Sequence, residues 1–114
     1  NAADLLRAAG LSVELAVSPD AAGAPSDALG PVVRESTTNI LKHGGGRFAR
    51  LSLERDGGGW RYRAENDRGG AAAGEGAGID GMTARLAEAG GSLVTELDDD
   101  VFVLDARVPT GVSA

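Results

Sequence analysis

Hydrophobic and polar residues alternate along several short stretches of this chain, and the alternation predicts strands. Leu11, Val13, Leu15 and Val17 recur at every second position, the period of a half-buried strand. The turn signal Asp56-Gly57-Gly58-Gly59 predicts a hairpin between two further strands. The predicted strands are 11–17, 47–54, 60–65, 92–97 and 101–108.

Helical spacing separates these strands and predicts helices at about 2–9, 26–43 and 80–89. Proline is tolerated in a first helical turn but not in a helix interior, so Pro31 places the start of the regular second helix near Gly30. The stretch from Asn66 to Gly78 has few bulky side chains and is predicted to be a mobile loop. Hairpin-linked strands with helices on one face predict an α+β fold, a two-layer sandwich, rather than a doubly wound parallel fold.

Composition narrows the class of protein. The 114 residues fit a single domain, 1–114, and the absence of cysteine excludes disulfides and thiolate metal sites. A net charge of −6 without a clustered basic stretch argues against nucleic acid binding. The chain contains no apolar run of about 20 residues, so we expect no membrane contact by this domain. Without cysteine it needs no oxidising surroundings, so a cytoplasmic location is expected.

One helix of the predicted set carries a possible cation site. Glu35, Asn39 and His43 are each four residues apart and therefore share one helix face, with Lys42 beside them. Carboxylate and amide oxygens suit Mg²⁺, which is usually bound together with nucleotide phosphates. Taken alone, this pattern is more often a solvated polar face.

Two other segments have patterns of possible ligand sites. Gly76, Gly78 and Gly81 surround a helix start, where backbone N–H groups and the helix dipole favour phosphate, although a flexible linker has the same composition. Asn66 and Asp67 end a strand, and their side-chain oxygens could accept a hydrogen bond from an exocyclic amine. Alone, that segment would be read as an ordinary turn.

In order and spacing, the three segments resemble the GHKL superfamily of ATPases, and within it the DesK/NarL-like sensor histidine kinases. The matching motifs run through Arg34-Glu35, Thr38-Asn39 and His43, then Asn66-Asp67, then the lid end Gly76-Ala77-Gly78-Ile79-Asp80-Gly81-Met82-Thr83-Ala84-Arg85. Gly90-Gly91 and Val108-Pro109 match later features of the same pattern. The resemblance implies a Bergerat fold with a mixed sheet, and a mobile ATP lid at about 67–81.

The resemblance also implies roles for individual residues. Asn39 would bind Mg²⁺ that bridges the ATP phosphates, and Glu35 would hold a metal-bound water or assist proton removal from the phosphoacceptor histidine. His43, the only histidine, would contact phosphate and would not itself be phosphorylated. The remaining residues implied to bind nucleotide are Lys42, Asn66, Asp67, Gly76, Gly78, Ile79, Gly81 and Met82, of which Met82 is expected mainly to pack.

The implied reaction transfers the ATP γ-phosphoryl group to a histidine on a separate, dimeric domain, for relay to a response regulator. Asn66 stands where the family has Asp, and Arg68 where it has Gly, so a weaker hydrogen bond to adenine is expected, with Asp67 as a substitute if the register shifts. These departures keep alternatives open. They are an anti-sigma-factor-type serine kinase of the same superfamily, a non-catalytic partner-binding module, and a small α+β domain unrelated to nucleotides.

Overall fold

The computed structural model describes residues 2–19, 24, 26–43, 45–67 and 77–109. Its elements follow one another in the order predicted from the sequence. They are α1 (Ala2–Ala8), β1 (Ser12–Val17), α2 (Ser26–His43), β2 (Phe48–Asp56), β3 (Gly59–Asp67), α3 (Ala77–Glu88), β4 (Ser92–Asp98) and β5 (Val101–Pro109).

The five strands form one mixed sheet in the order β1-β2-β3-β5-β4. Only β1 and β2 are parallel, and the other neighbouring strands are antiparallel. The register places Leu15 beside Leu51, Leu51 beside Ala64, and Ala64 beside Leu104, so one apolar row crosses four strands. Because side chains of a strand alternate between faces, this row marks one face of the sheet, on which Leu51, Ala64 and Leu104 are buried and Leu15 of β1 is 46% exposed.

The helices cover that buried face. Helix α1 contacts β1, α2 contacts β3 and β5, and α3 contacts β4 and β5. Leu6 of α1, Val32 of α2 and Leu86 of α3 are fully buried at 0% exposure, which shows that each helix contributes to the same core. The α+β two-layer architecture with a mixed sheet is therefore confirmed.

The opposite face of the sheet is open and charged. Arg50 pairs with Glu14 and Glu65, and Arg61 pairs with Asp105, across neighbouring strands. The Arg50–Glu14 pair is exposed and contributes little to stability, whereas the Glu65 and Asp105 side chains are only 16% and 18% exposed. Charged side chains suit this face because no helix covers it and it is exposed to water.

The structure corrects the predicted bounds in three places. Helix α2 is regular from Ser26, one turn earlier than Pro31 suggested. Burial of Leu29 at 3% exposure supplies a reason for this first turn to stay helical. Asn66 and Asp67 belong to β3 rather than to the loop, and α3 begins at Ala77. No helix within the described ranges is long and apolar enough to cross a membrane.

Candidate active site

Helix α2 carries Glu35 and Asn39 at the boundary between core and solvent. Both side chains are half-buried, whereas Ser36 and Ile40, each one position further along, are buried. Since residues four apart lie on one helix face, the two polar side chains form a column along the edge of the packed surface. Lys42, near the end of α2, is exposed. This arrangement leaves carboxylate, amide and ammonium groups accessible from one side of α2.

The rotation of α2 is held by a buried hydroxyl pair. Ser36 Oγ lies 2.8 Å from Tyr62 Oη of β3 and also donates to the Val33 carbonyl oxygen at 3.0 Å. Because a serine hydroxyl has one hydrogen, the Tyr62 hydroxyl is then the donor in the shared bond. Burial raises the pKa of Tyr62 to about 12, with the Ser36 bond acting in the opposite direction. The pair fixes which side of α2 faces the sheet, and so keeps Glu35 and Asn39 at its edge.

The end of β3 places Asn66 on the same face of the sheet as the helices. Asn66 is 3% exposed and follows the buried Ala64 by two positions. Its Nδ2 donates to the backbone oxygen of Asp67 at 2.9 Å. The amide orientation therefore reserves Oδ1 as the acceptor, which is the atom that an exocyclic amine would need.

Asp67 lies one position further and therefore on the opposite face. Its Oδ1 accepts hydrogen bonds from the backbone N–H groups of Arg47 at 3.1 Å and Phe48 at 2.9 Å. Its Oδ2 is buried and has no hydrogen-bond partner among the described residues. The register of β3, which pairs Asp67 with Val101, leaves Asn66 as the side chain that faces the helices. A nucleotide contact by Asp67 stays a prediction, and its described bonds are to the protein backbone.

The start of α3 provides the third part of the site. Gly78, Ile79 and Gly81 occupy its first turns, and α3 contacts α2. Met82 is 3% exposed and belongs to the hydrophobic core, so it anchors the beginning of the helix. An N-terminal helical turn carries unpaired N–H groups and positive partial charge, which favours phosphate nearby. Gly76 and the rest of 68–76, the middle of the predicted lid, lie outside the described residues, as does the His43 side chain.

The described residues do not form a complete metal site by themselves. Among them there is no group of three or more His, Cys, Asp or Glu side chains that could hold a metal ion. Mg²⁺ commonly takes one or two protein oxygens and completes its shell with phosphate and water. The half-buried Glu35 and Asn39 fit that limited contribution, since together they supply a carboxylate and an amide oxygen.

Searches for related proteins found similarity in structure only. No family model and no curated protein matches the chain. It superposes on the Acinetobacter baumannii histidine kinase AdeS with a TM-score of 0.74 at 15% identity, over 94% of this chain and 58% of that one. It superposes on the blue-light activated histidine kinase EL346 of Erythrobacter litoralis with a TM-score of 0.74 at 18% identity, over 98% of this chain and 40% of that one.

An isolated catalytic domain gives a more complete match. The nucleotide-free catalytic domain of the histidine kinase ThkA superposes with a TM-score of 0.73 at 12% identity, over 94% of this chain and 85% of that one. The chain thus has the fold of histidine kinase catalytic domains, and spans about three fifths of AdeS and two fifths of EL346 as solved. The predicted fold is confirmed, whereas the DesK/NarL-like subclass stays a prediction.

Proposed function

We propose that this chain is the ATP-binding catalytic domain of a two-component sensor histidine kinase. It would transfer the γ-phosphoryl group of ATP to a histidine on a separate, dimeric domain, from which a response regulator receives it. The observation that carries the proposal is that this fold holds polar side chains suited to Mg²⁺ and adenine on one side of the sheet. In a fold shared with histidine kinase catalytic domains, Glu35 and Asn39 lie half-buried along one edge of α2, and Asn66, next to the last residue of β3, lies on the helix side of the sheet.

In the proposed reaction the protein positions groups and neutralises charge rather than forming a covalent intermediate. The Asn39 amide oxygen would bind Mg²⁺ on the ATP phosphates, and Glu35 would hold a metal-bound water or accept the proton of the attacking histidine. Lys42 and His43 would contact phosphate. Asn66 Oδ1 would accept the adenine amine hydrogen. Backbone N–H groups near Gly76, Gly78, Ile79 and Gly81 would surround the phosphates, with Met82 anchoring α3.

The decisive experiment combines this chain with a dimeric phosphoacceptor domain and γ-³²P-labelled ATP. Label on the acceptor that is stable in alkali and lost in acid identifies phosphohistidine. We expect Glu35→Gln and Asn39→Ala to reduce labelling by about 100-fold or more, a typical effect of removing a group that acts in the transition state. The matched control is Glu54→Gln, which neutralises an exposed carboxylate on the open face of β2 and should leave labelling unchanged.

Direct binding separates the alternatives. Titration calorimetry with Mg-ATP should give saturable heat, and no heat at millimolar nucleotide would instead indicate a non-catalytic module with this fold. Acid-stable label on serine would indicate the anti-sigma-factor type of kinase. Either result would contradict the histidine kinase proposal while leaving the fold intact.

A further inference from the structure

Residue 67 joins the end of β3 to the segment that follows α2. Besides the two bonds to its carboxylate, the backbone oxygen of Asp67 accepts a hydrogen bond from the backbone N–H of Gly45 at 2.6 Å. The donors from Gly45 and Arg47 belong to the short connection between α2 and β2, and the third donor belongs to Phe48, the first residue of β2. One residue of β3 thus holds that connection along most of its length.

The connection needs such support because its composition favours many conformations. It contains consecutive glycines, and Gly46 has a φ of +82°, a conformation that residues with a Cβ seldom adopt. Backbone freedom of this kind costs about 1–2 kcal/mol per residue to remove. Bonds from N–H groups to a carboxylate are stronger than those to a neutral oxygen, and Asp67 is only 4% exposed, so they are shielded from water.

From this geometry we infer that Asp67 is a positioning residue of the nucleotide site, an inference that rests on the function proposed above. The connection it holds leads directly from the end of α2, where Lys42 lies one turn after Asn39. Its own chain neighbour is Asn66. A single buried carboxylate therefore sets the separation between the strand end that would recognise adenine and the helix that would bind the phosphates. It does so from the opposite face of the sheet, through bonds to the protein backbone.

The unpartnered Oδ2 makes a discriminating substitution available. Asp67→Asn keeps one side-chain oxygen for the N–H groups of Arg47 and Phe48, and places its amide where Oδ2 has no described bond. Asp67→Ala removes both bonds. A positioning role therefore predicts that Asn restores most of what Ala loses, whereas a requirement for negative charge predicts that both variants fail alike.

The test measures the bonds and their effect on binding separately, on the full chain. Amide hydrogen exchange by NMR, without nucleotide, should show lost protection at Arg47 and Phe48 in Asp67→Ala and near wild-type protection in Asp67→Asn. Calorimetry with Mg-ATP should show an affinity about tenfold weaker for Asp67→Ala, the scale on which contacts that support a binding site act. Asp67→Asn should stay within about threefold of wild type. Asp105→Ala, which removes another carboxylate from the same face of the sheet, is the control and should not change affinity.

The outcomes distinguish this inference from the proposed function. If wild type binds Mg-ATP and Asp67→Ala binds equally well, or if the Arg47 and Phe48 amides stay protected without the carboxylate, the positioning role is wrong and the kinase proposal stands. If wild type itself binds no nucleotide, the proposed function fails, and a role in nucleotide binding fails with it, whatever the exchange data show. Should Asp67→Ala not fold, Asp67→Ser replaces it, because the shorter hydroxyl cannot serve both amides.

Discussion

The buried hydroxyl pair between α2 and β3 allows a sharp test of how the site is held. Tyr62→Phe removes a donor but leaves Ser36 bonded to the Val33 carbonyl, so it should cost only about 1 kcal/mol, the net value of one hydrogen bond. Ser36→Ala instead leaves the Tyr62 hydroxyl buried at 3% residue exposure without its partner. That should cost about 1–3 kcal/mol, reduced by the roughly 0.5 kcal/mol better helix propensity of Ala.

Because the pKa of Tyr62 is raised in the folded protein, the free energy of unfolding should decrease as the pH rises above 10. Burial moves this pKa from 10.0 to about 12, so between these values the unfolded chain loses the phenol proton while the folded chain keeps it. The stabilisation is complete below pH 10 and is lost as the pH rises toward 12. One pH unit above 10 removes about 1.4 kcal/mol from wild type and nothing from Tyr62→Phe. The order of stability should therefore reverse by about pH 11.

Urea unfolding at pH 7, 9, 10 and 11 measures this directly, because Trp60, the only tryptophan, is 2% exposed and reports loss of the core by fluorescence. All other side chains are the same in the two proteins, so their contributions cancel in the difference between them. A stability difference between wild type and Tyr62→Phe that stays constant from pH 7 to 11 would refute the burial argument.

Three further results are expected. Asp105→Asn should cost about 1 kcal/mol at pH 7, discounted because the Arg61 side chain is 35% exposed. The hydrogen bonds from Arg61 lower the pKa of Asp105 below its usual 3.8, so urea midpoints of variant and wild type should converge below that pH. Gly91→Ala should lower the free energy of unfolding by about 2 kcal/mol, because the added Cβ would clash with a backbone oxygen of β5. Gly58→Ala is the control in thermal melts, because a Cβ there has nothing within 4 Å. Asn66→Ala should weaken ATP binding about fivefold in calorimetry. It should also reduce the preference for ATP over GTP, since guanine has an oxygen where adenine has the amine. An unchanged preference would contradict the role given to Asn66.

Local patterns were sufficient to predict the elements of this fold. The glycines predicted to end α1 and α3 do so. Gly10 and Gly90 adopt φ values of +97° and +82°, which other residues avoid. The Asp56–Gly59 turn likewise joins two antiparallel strands as predicted. The predicted helix at about 26–43 agrees with α2, but the regular part was expected to start near Gly30, because the penalty for Pro31 is local, whereas the burial of Leu29 that outweighs it depends on the assembled core. The strand order β3-β5-β4 was not predicted, since pairing of β3 with β5 joins segments about 40 residues apart.

The candidate site also has a part that local spacing predicts and a part that only the assembled sheet defines. Glu35 and Asn39 share a helix face by spacing alone, and the structure places both at the edge of the core. The sequence did not show which of Asn66 and Asp67 faces the helices. The strand was predicted to end at residue 65, two residues too early, so neither residue was assigned to a face of the sheet. Only the register of β3 with β2 and β5 gives Asn66 the helix side and Asp67 the opposite one. The donors to Asp67 lie 19 and 20 residues away, beyond the reach of any local pattern. The roles proposed above for these two polar residues are therefore separable. Substituting Asn66 should alter which base is bound, while substituting Asp67 should weaken the binding of every nucleotide alike.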